Sequence, residues 1–196
     1  MGVRLIACLV GLVLGLAGCG GGAPAPGDGS SPPTPAQAPA AAPESATVLG
    51  DLLKDWERQK DTMLKIADAM PEDKFGYKST PPQRGYGEQV MHIATVNVDL
   101  LKWVGGQAAP PSFTVESART KTDMLSALAE SYDYGTALLK EQSDDSLTTT
   151  IDGRFLGPST RVRLFWFLMG HSMDIYGQMA VYLRLNDIVP PASRGV

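Results

Sequence analysis

Beyond Thr47 one pattern governs the chain: apolar residues return every three or four positions in four long stretches, and prolines or paired glycines separate the stretches. That spacing stacks apolar side chains along one face of a helix, whereas a strand would need strict alternation. In the first stretch Leu49, Leu52, Leu53, Trp56, Met63, Ile66, Ala67 and Met70 form the stripe, and Pro71 ends it. A loop with Pro81, Pro82 and Gly85 leads to a second helix over about 86–104, striped by Val90, Ile93, Ala94, Asn97, Leu101 and Val104. Gly105 and Gly106 stop it, and Pro110 and Pro111 block a restart, since proline lacks the amide a helix interior needs. A third helix is expected over about 114–142, capped by Thr114 and striped by Met124, Leu125, Leu128, Tyr132, Leu138 and Leu139. After a polar loop, in which 148–151 reads as extended, a fourth helix is expected over about 159–186. It is apolar on most of its circumference, Phe165, Trp166 and Phe167 included, which places it at the centre of the fold with Trp166 in the core.

Four helices over residues 46–196 with no sustained strand pattern predict an all-α, antiparallel four-helix bundle forming a single domain. A hydrophobic content of 43% suffices for one core. The formal charge of −4, with no cluster of lysine and arginine, argues against nucleic acid as a partner.

The first 45 residues read differently. Arg4, an apolar run from Leu5 to Leu16, and Leu16-Ala17-Gly18-Cys19 resemble a bacterial lipoprotein signal ending in a lipobox. The run is too short for a permanent membrane span. Residues 1–18 are thus expected to be removed and Cys19 to be lipidated, which predicts a lipid-anchored protein of the cell envelope. Gly20 stands where an inner-membrane retention signal would carry aspartate, so the outer membrane is expected if the cell has two. Residues 19–45, rich in proline, alanine and glycine, form a tether that can bury no apolar area. With Cys8 discarded and Cys19 lipidated, the mature domain holds no thiol, which excludes disulfides, thiolate ligands and cysteine nucleophiles. There is also no Gly-x-Ser-x-Gly elbow and no phosphate-cradling glycine loop before a helix.

The chain has only two histidines, His92 and His171, and both fall within helices. Two imidazoles on facing helices suit a divalent metal, but four-coordinate sites on proteins usually take at least three protein ligands. The nearest carboxylates are Glu88, four residues before His92, and Asp174, three after His171. Each has an ordinary reading: Glu88 lies in a helix's first turn, where a negative charge complements the helix dipole, and Asp174 lies beside a solvent face. The histidines themselves could be buried rings bonded to each other, or to Tyr176 and Gln178.

Gly85-Tyr-Gly-Glu-Gln-Val-Met-His-Ile-Ala94 and the run from Tyr176-Gly-Gln-Met through Pro190-Pro-Ala-Ser193 resemble the DinB-like four-helix-bundle family over about residues 47–194. The resemblance implies a site for zinc or nickel built from one histidine on the second helix and a His-x-x-x-His pair on the fourth. His92 and His171 match two of these positions. The third falls on Ile175, which cannot donate. The family includes thiol transferases and metal-dependent hydrolases. Two functions follow. One is a non-catalytic envelope protein with an incomplete metal site that binds a small molecule or a partner protein, with room for a homodimer. The other is a metal-dependent enzyme of thiol transferase or hydrolase type using His92, His171 and a substitute carboxylate.

Overall fold

The computed structural model describes residues 46–195; the signal, Cys19 and the whole of the tether expected above lie outside them. Five α-helices and one small hairpin make up the domain: α1 (Val48–Asp68), α2 (Tyr86–Leu101), α3 (Lys121–Lys140), α4 (Asp144–Thr148), β1 (Thr150–Asp152), β2 (Pro158–Thr160) and α5 (Arg161–Arg184). The four long helices form the expected all-α four-helix bundle. Among the described residues no helix is long and apolar enough to cross a membrane.

Local chemistry sets the helix starts. The Thr47 hydroxyl accepts the Gly50 amide and opens α1, and the Glu88 carboxylate accepts the Gly85 amide at the start of α2. α3 begins at Lys121 rather than near Thr114. There the Thr120 hydroxyl accepts the Asp123 amide while the Asp123 carboxylate accepts the amides of Thr120 and Arg119. That reciprocal cap satisfies orphan donors that a start at Thr114 would leave bare. Thr114 and Ser117 instead spend their hydroxyls on each other's backbone in a separate turn. The polar segment after α3 holds the short α4 as well as the extended piece, which pairs antiparallel with β2 through Thr150–Thr160 and Ile151–Ser159.

The connection from 102 to 120 runs the length of the bundle. Glu141, at the end of α3, accepts the amides of Gln107 and Ala108 just past α2, while Lys121, at the start of α3, reaches Asp68 at the far end. α2 and α3 therefore point the same way. α1 and α5 share the opposite direction, so the antiparallel contacts are α1 with α3 and α2 with α5. α1 and α2 lie diagonally across the core, as do α3 and α5. One end, here termed the entry end, gathers the start of α1, the end of α2, α4, the hairpin and the start of α5: Asp144 accepts the Val48 and Leu49 amides, and Arg161 donates to the Val104 and Ser146 carbonyls.

At the centre Trp56 is fully buried, packed on Tyr132 and Phe165 with ring centroids 4.8 and 5.2 Å away. Its indole N–H donates to the Tyr132 carbonyl at 2.9 Å. The ring presses so closely on α3 that a Cβ at Gly135 would lie 2.5 Å from it, so only glycine fits there. The expectation that the fourth helix is central, with Trp166 in the core, is not met. α5 is one of four equal partners, and Trp166 is 63% exposed. Its apolar circumference divides into a core face, carrying Leu164, Phe165, Leu168, Ile175 and Met179, and an outer face, carrying Trp166, Phe167 and Met173. Periodicity could not separate the two, because apolar side chains lie on both flanks of the helix.

Candidate functional site

α2 and α5 run antiparallel in contact, and this brings His92 and His171 face to face. Their Nε2 atoms are 3.2 Å apart and the ring centroids 5.0 Å, with the rings inclined at 67°. Only one proton fits between two such nitrogens, so one ring donates and the other accepts. The other nitrogen of His171, Nδ1, is buried without a partner. A buried orphan donor is costly, so the favoured arrangement puts the His171 proton on Nε2, donating to His92, and leaves Nδ1 as a bare acceptor.

Both rings are held neutral. For His92, burial lowers the pKa first, then the charge of Arg84 and then His171. For His171, burial again lowers it and Arg84 adds to the effect, while Asp174 pulls it up. Arg84, in the loop before α2, is thus a cation of the site that sequence reading missed; its backbone carbonyl accepts the Tyr182 hydroxyl at 3.0 Å, which ties the loop to α5.

The substitute ligands are placed less favourably. Glu88 sits in the first turn of α2, as expected, but its carboxylate is held by the Gly85 amide and by Lys78 at 3.0 Å, which keep its pKa low. Asp174 lies one turn past His171 and accepts from the Gln178 amide at 3.1 Å. Gln178 in turn accepts from Gln89 at 2.8 Å, so a line of amides crosses from α2 to the Asp174 carboxylate. Gln89 is fully buried and its Oε1 has no partner. Its position three residues before His92, on the same helical face, was the signal that could have revealed it. Neither Tyr176 nor Gln178 bonds to a histidine. Ile175 is 3% exposed and packs into the core.

Behind the pair runs a buried polar seam. The Tyr132 hydroxyl donates to the Ser172 hydroxyl at 2.9 Å, and the Asn97 amide donates to Ser131 at 3.2 Å. Burial pushes the Tyr132 phenol up to about 12, so it stays neutral.

A three-histidine metal centre does not fit these residues. No group of three or more histidine, cysteine, aspartate or glutamate side chains converges among the described residues. The buried Nδ1 of His171 also lacks the outer hydrogen bond that orients a metal-bound imidazole.

A four-helix bundle with crossed-over connectivity and histidines meeting between α2 and α5 defines the class of protein. Residues 55–179 match the family model of the DinB superfamily, and the chain belongs to that superfamily. Two crystal structures share the fold. A DinB-like protein from Bacillus cereus ATCC 10987 superposes with a TM-score of 0.64 at 19% identity, covering 72% of this chain and 95% of that one. A DinB-like protein from Bacillus subtilis gives 0.54 at 17% identity, covering 70% of this chain and 92% of that one. A search of curated proteins finds no significant match.

Proposed function

We propose that this chain is a lipid-anchored DinB-like protein of the cell envelope, held by Cys19, whose metal centre has contracted to a self-satisfied pair of imidazoles and which binds a small molecule or an envelope partner without catalysis. The observation that carries this reading is the direct His92–His171 hydrogen bond, made while Ile175 fills the third ligand position with buried hydrocarbon. The two neutral rings meet each other's need at Nε2 without an ion, and the nearby carboxylates already have partners.

One observation favours the metalloenzyme alternative. Two nitrogens on a tetrahedral zinc, each about 2.0–2.1 Å from the ion, sit roughly 3.3 Å apart. The 3.2 Å separation of the two Nε2 atoms is nearly that. Asp174 would have to leave Gln178 to complete such a site.

Isothermal titration with zinc and with nickel, on protein purified without a histidine tag, separates the two. The contracted-site reading expects at most weak binding by the natural chain. It expects Ile175→His to gain orders of magnitude in affinity, and a melting temperature that climbs with added metal, because a ligand bound only by the folded state stabilises it. Tight stoichiometric binding by the natural chain, lost in Asp174→Asn, would replace this reading with the metalloenzyme one. Comparing metal-loaded with chelated samples of each variant removes the cost of burying an imidazole where isoleucine packed.

A further inference from the structure

The exposed phenylalanines and tryptophans among the described residues are Phe155, Trp166 and Phe167, and all belong to the entry end of the bundle. Phe155, 65% exposed on the turn between β1 and β2, is propped by Trp103 and Phe167, whose rings meet its own edge to face at 5.6 and 5.5 Å. On the other flank of α5, Trp166 and Val162 form a recess of about 250 Å³ with Val48 and Leu52 of α1. We infer that this end of the bundle is a bilayer-contact surface, its aromatic side chains seating in the interfacial layer of a zwitterionic phospholipid membrane. The inference rests on the anchoring reading above for the bilayer it meets.

Three observations select that occupant. The first is chemical. Tryptophan and phenylalanine are the side chains that settle at a membrane interface, and a stack of rings offers wide contact at little cost in side-chain entropy. Among the described residues the large apolar side chains exposed at the opposite end are aliphatic, such as Leu185 and Val189, which are ordinary on a protein surface. The second is covalent. The chain from Cys19 joins the bundle at Thr47, and Val48, the first residue of α1, lines the same recess as Trp166. A lipid on Cys19 would therefore deliver this end to the membrane first, at a high effective concentration. The third is charge. Arg154 pairs with Asp152 at 3.3 Å, Lys102 with Asp99 at 3.0 Å and Lys54 with Asp51 at 3.9 Å, while Arg163 donates to the Leu156 carbonyl and Ser159. Asp55, which also lines the recess, pairs with Arg58. Arg161, Arg163 and the exposed Lys140 keep their charge, but Glu141, Asp144 and Asp145 at the same end match them, so the end carries no net positive charge to select anionic lipid and the rings remain as the source of attraction.

The His92–His171 pair lies at mid-height on α2 and α5, so a bundle standing on its entry end would keep that site clear of the lipid.

The test is tryptophan emission from the full chain, processed in a bacterial host and reconstituted in phosphatidylcholine vesicles with or without lipid brominated near the headgroup. The bromolipid is expected to remove about a third of the emission, the share of one tryptophan in three, with Trp166→Ala abolishing most of the loss and Phe155→Ser weakening it. Trp56, being buried, should be unaffected. Protein that floats with the vesicles but is not quenched would stand off on its tether, which overturns the inference and leaves the anchoring reading intact. Contact that needs anionic lipid and vanishes in salt overturns it too, as does an unquenched dimer with Trp166 buried between copies. If mass spectrometry finds Cys19 unmodified, the anchoring reading fails; vesicles added to the unlipidated chain then decide the inference by the same quenching, and its absence overturns it.

Discussion

Between His92 and His171 a single hydrogen bond joins two rings that both resist protonation, and that has a consequence for acid stability. An imidazole has an ordinary pKa of 6.5, and both of these are lowered in the fold, by burial first. The unfolded chain therefore takes up protons that the folded chain refuses. Stability is unaffected well above pH 6.5 and declines as the pH falls through 6.5, because the unfolded state binds more protons in that window. Urea midpoints measured from pH 7.5 to 5.5 should fall, and the fall should flatten in a His92→Gln, His171→Gln double variant. Glu88 and Asp123, whose pKa values are lowered, contribute their losses only at more acid pH. An unchanged slope in the double variant would mean that the pair is not the source. At this scale the sequence was informative about identity and silent about partners. Helical register placed the two histidines, but no spacing rule announces that Glu88 is captured by Lys78, or that Arg84 in an irregular loop lends its charge to the site.

At the scale of the element, the tryptophan of α1 takes the core position expected of it and the tryptophan of α5 does not. The indole of Trp56 is enclosed, bonded to a carbonyl of α3 and fitted against Gly135, whereas Trp166 stands largely in solvent. Trp56→Ala should cost about 3–5 kcal/mol by leaving a cavity, and Trp166→Ala should stay within about 0.5 kcal/mol, both read by chemical denaturation. Comparable losses in the two variants would contradict the burial pattern. Helix existence and approximate extent were legible because the 3–4 spacing is long and strongly punctuated by proline and glycine. The start of α3 was not, since both Thr114 and Thr120 are capping residues and only the returning carboxylate of Asp123 decides between them. Nor was the facing of α5, where apolar side chains on both flanks erase the period that would have oriented it.

For the whole molecule, the bundle and its superfamily were legible and the order of helices around the ring was not. Proline pairs mark where chain direction is interrupted, but nothing in residues 102–120 states that they travel a full helix length before α3 begins. The sequence also carries the anchoring expectation beyond the described residues. Cys19→Ala should block lipidation and leave the precursor uncleaved or mislocalised, because processing at a lipobox follows modification of its cysteine. Membrane fractionation and intact mass check this; a variant that fractionates normally with unchanged mass would exclude the lipobox. The ring order has a further meaning for how the chain acquires its structure. Since α1 and α2 lie across the diagonal, the first half of the domain owns almost no helix-to-helix interface until α3 arrives to touch both, and α5 then closes the remaining two sides. No prefix of the chain ending before α3 can therefore hold itself together as a folded hairpin, and the earliest stable nucleus must wait for the crossover to be spanned. During synthesis the emerging amphipathic faces of α1 and α2 would have no mates until α3 follows them.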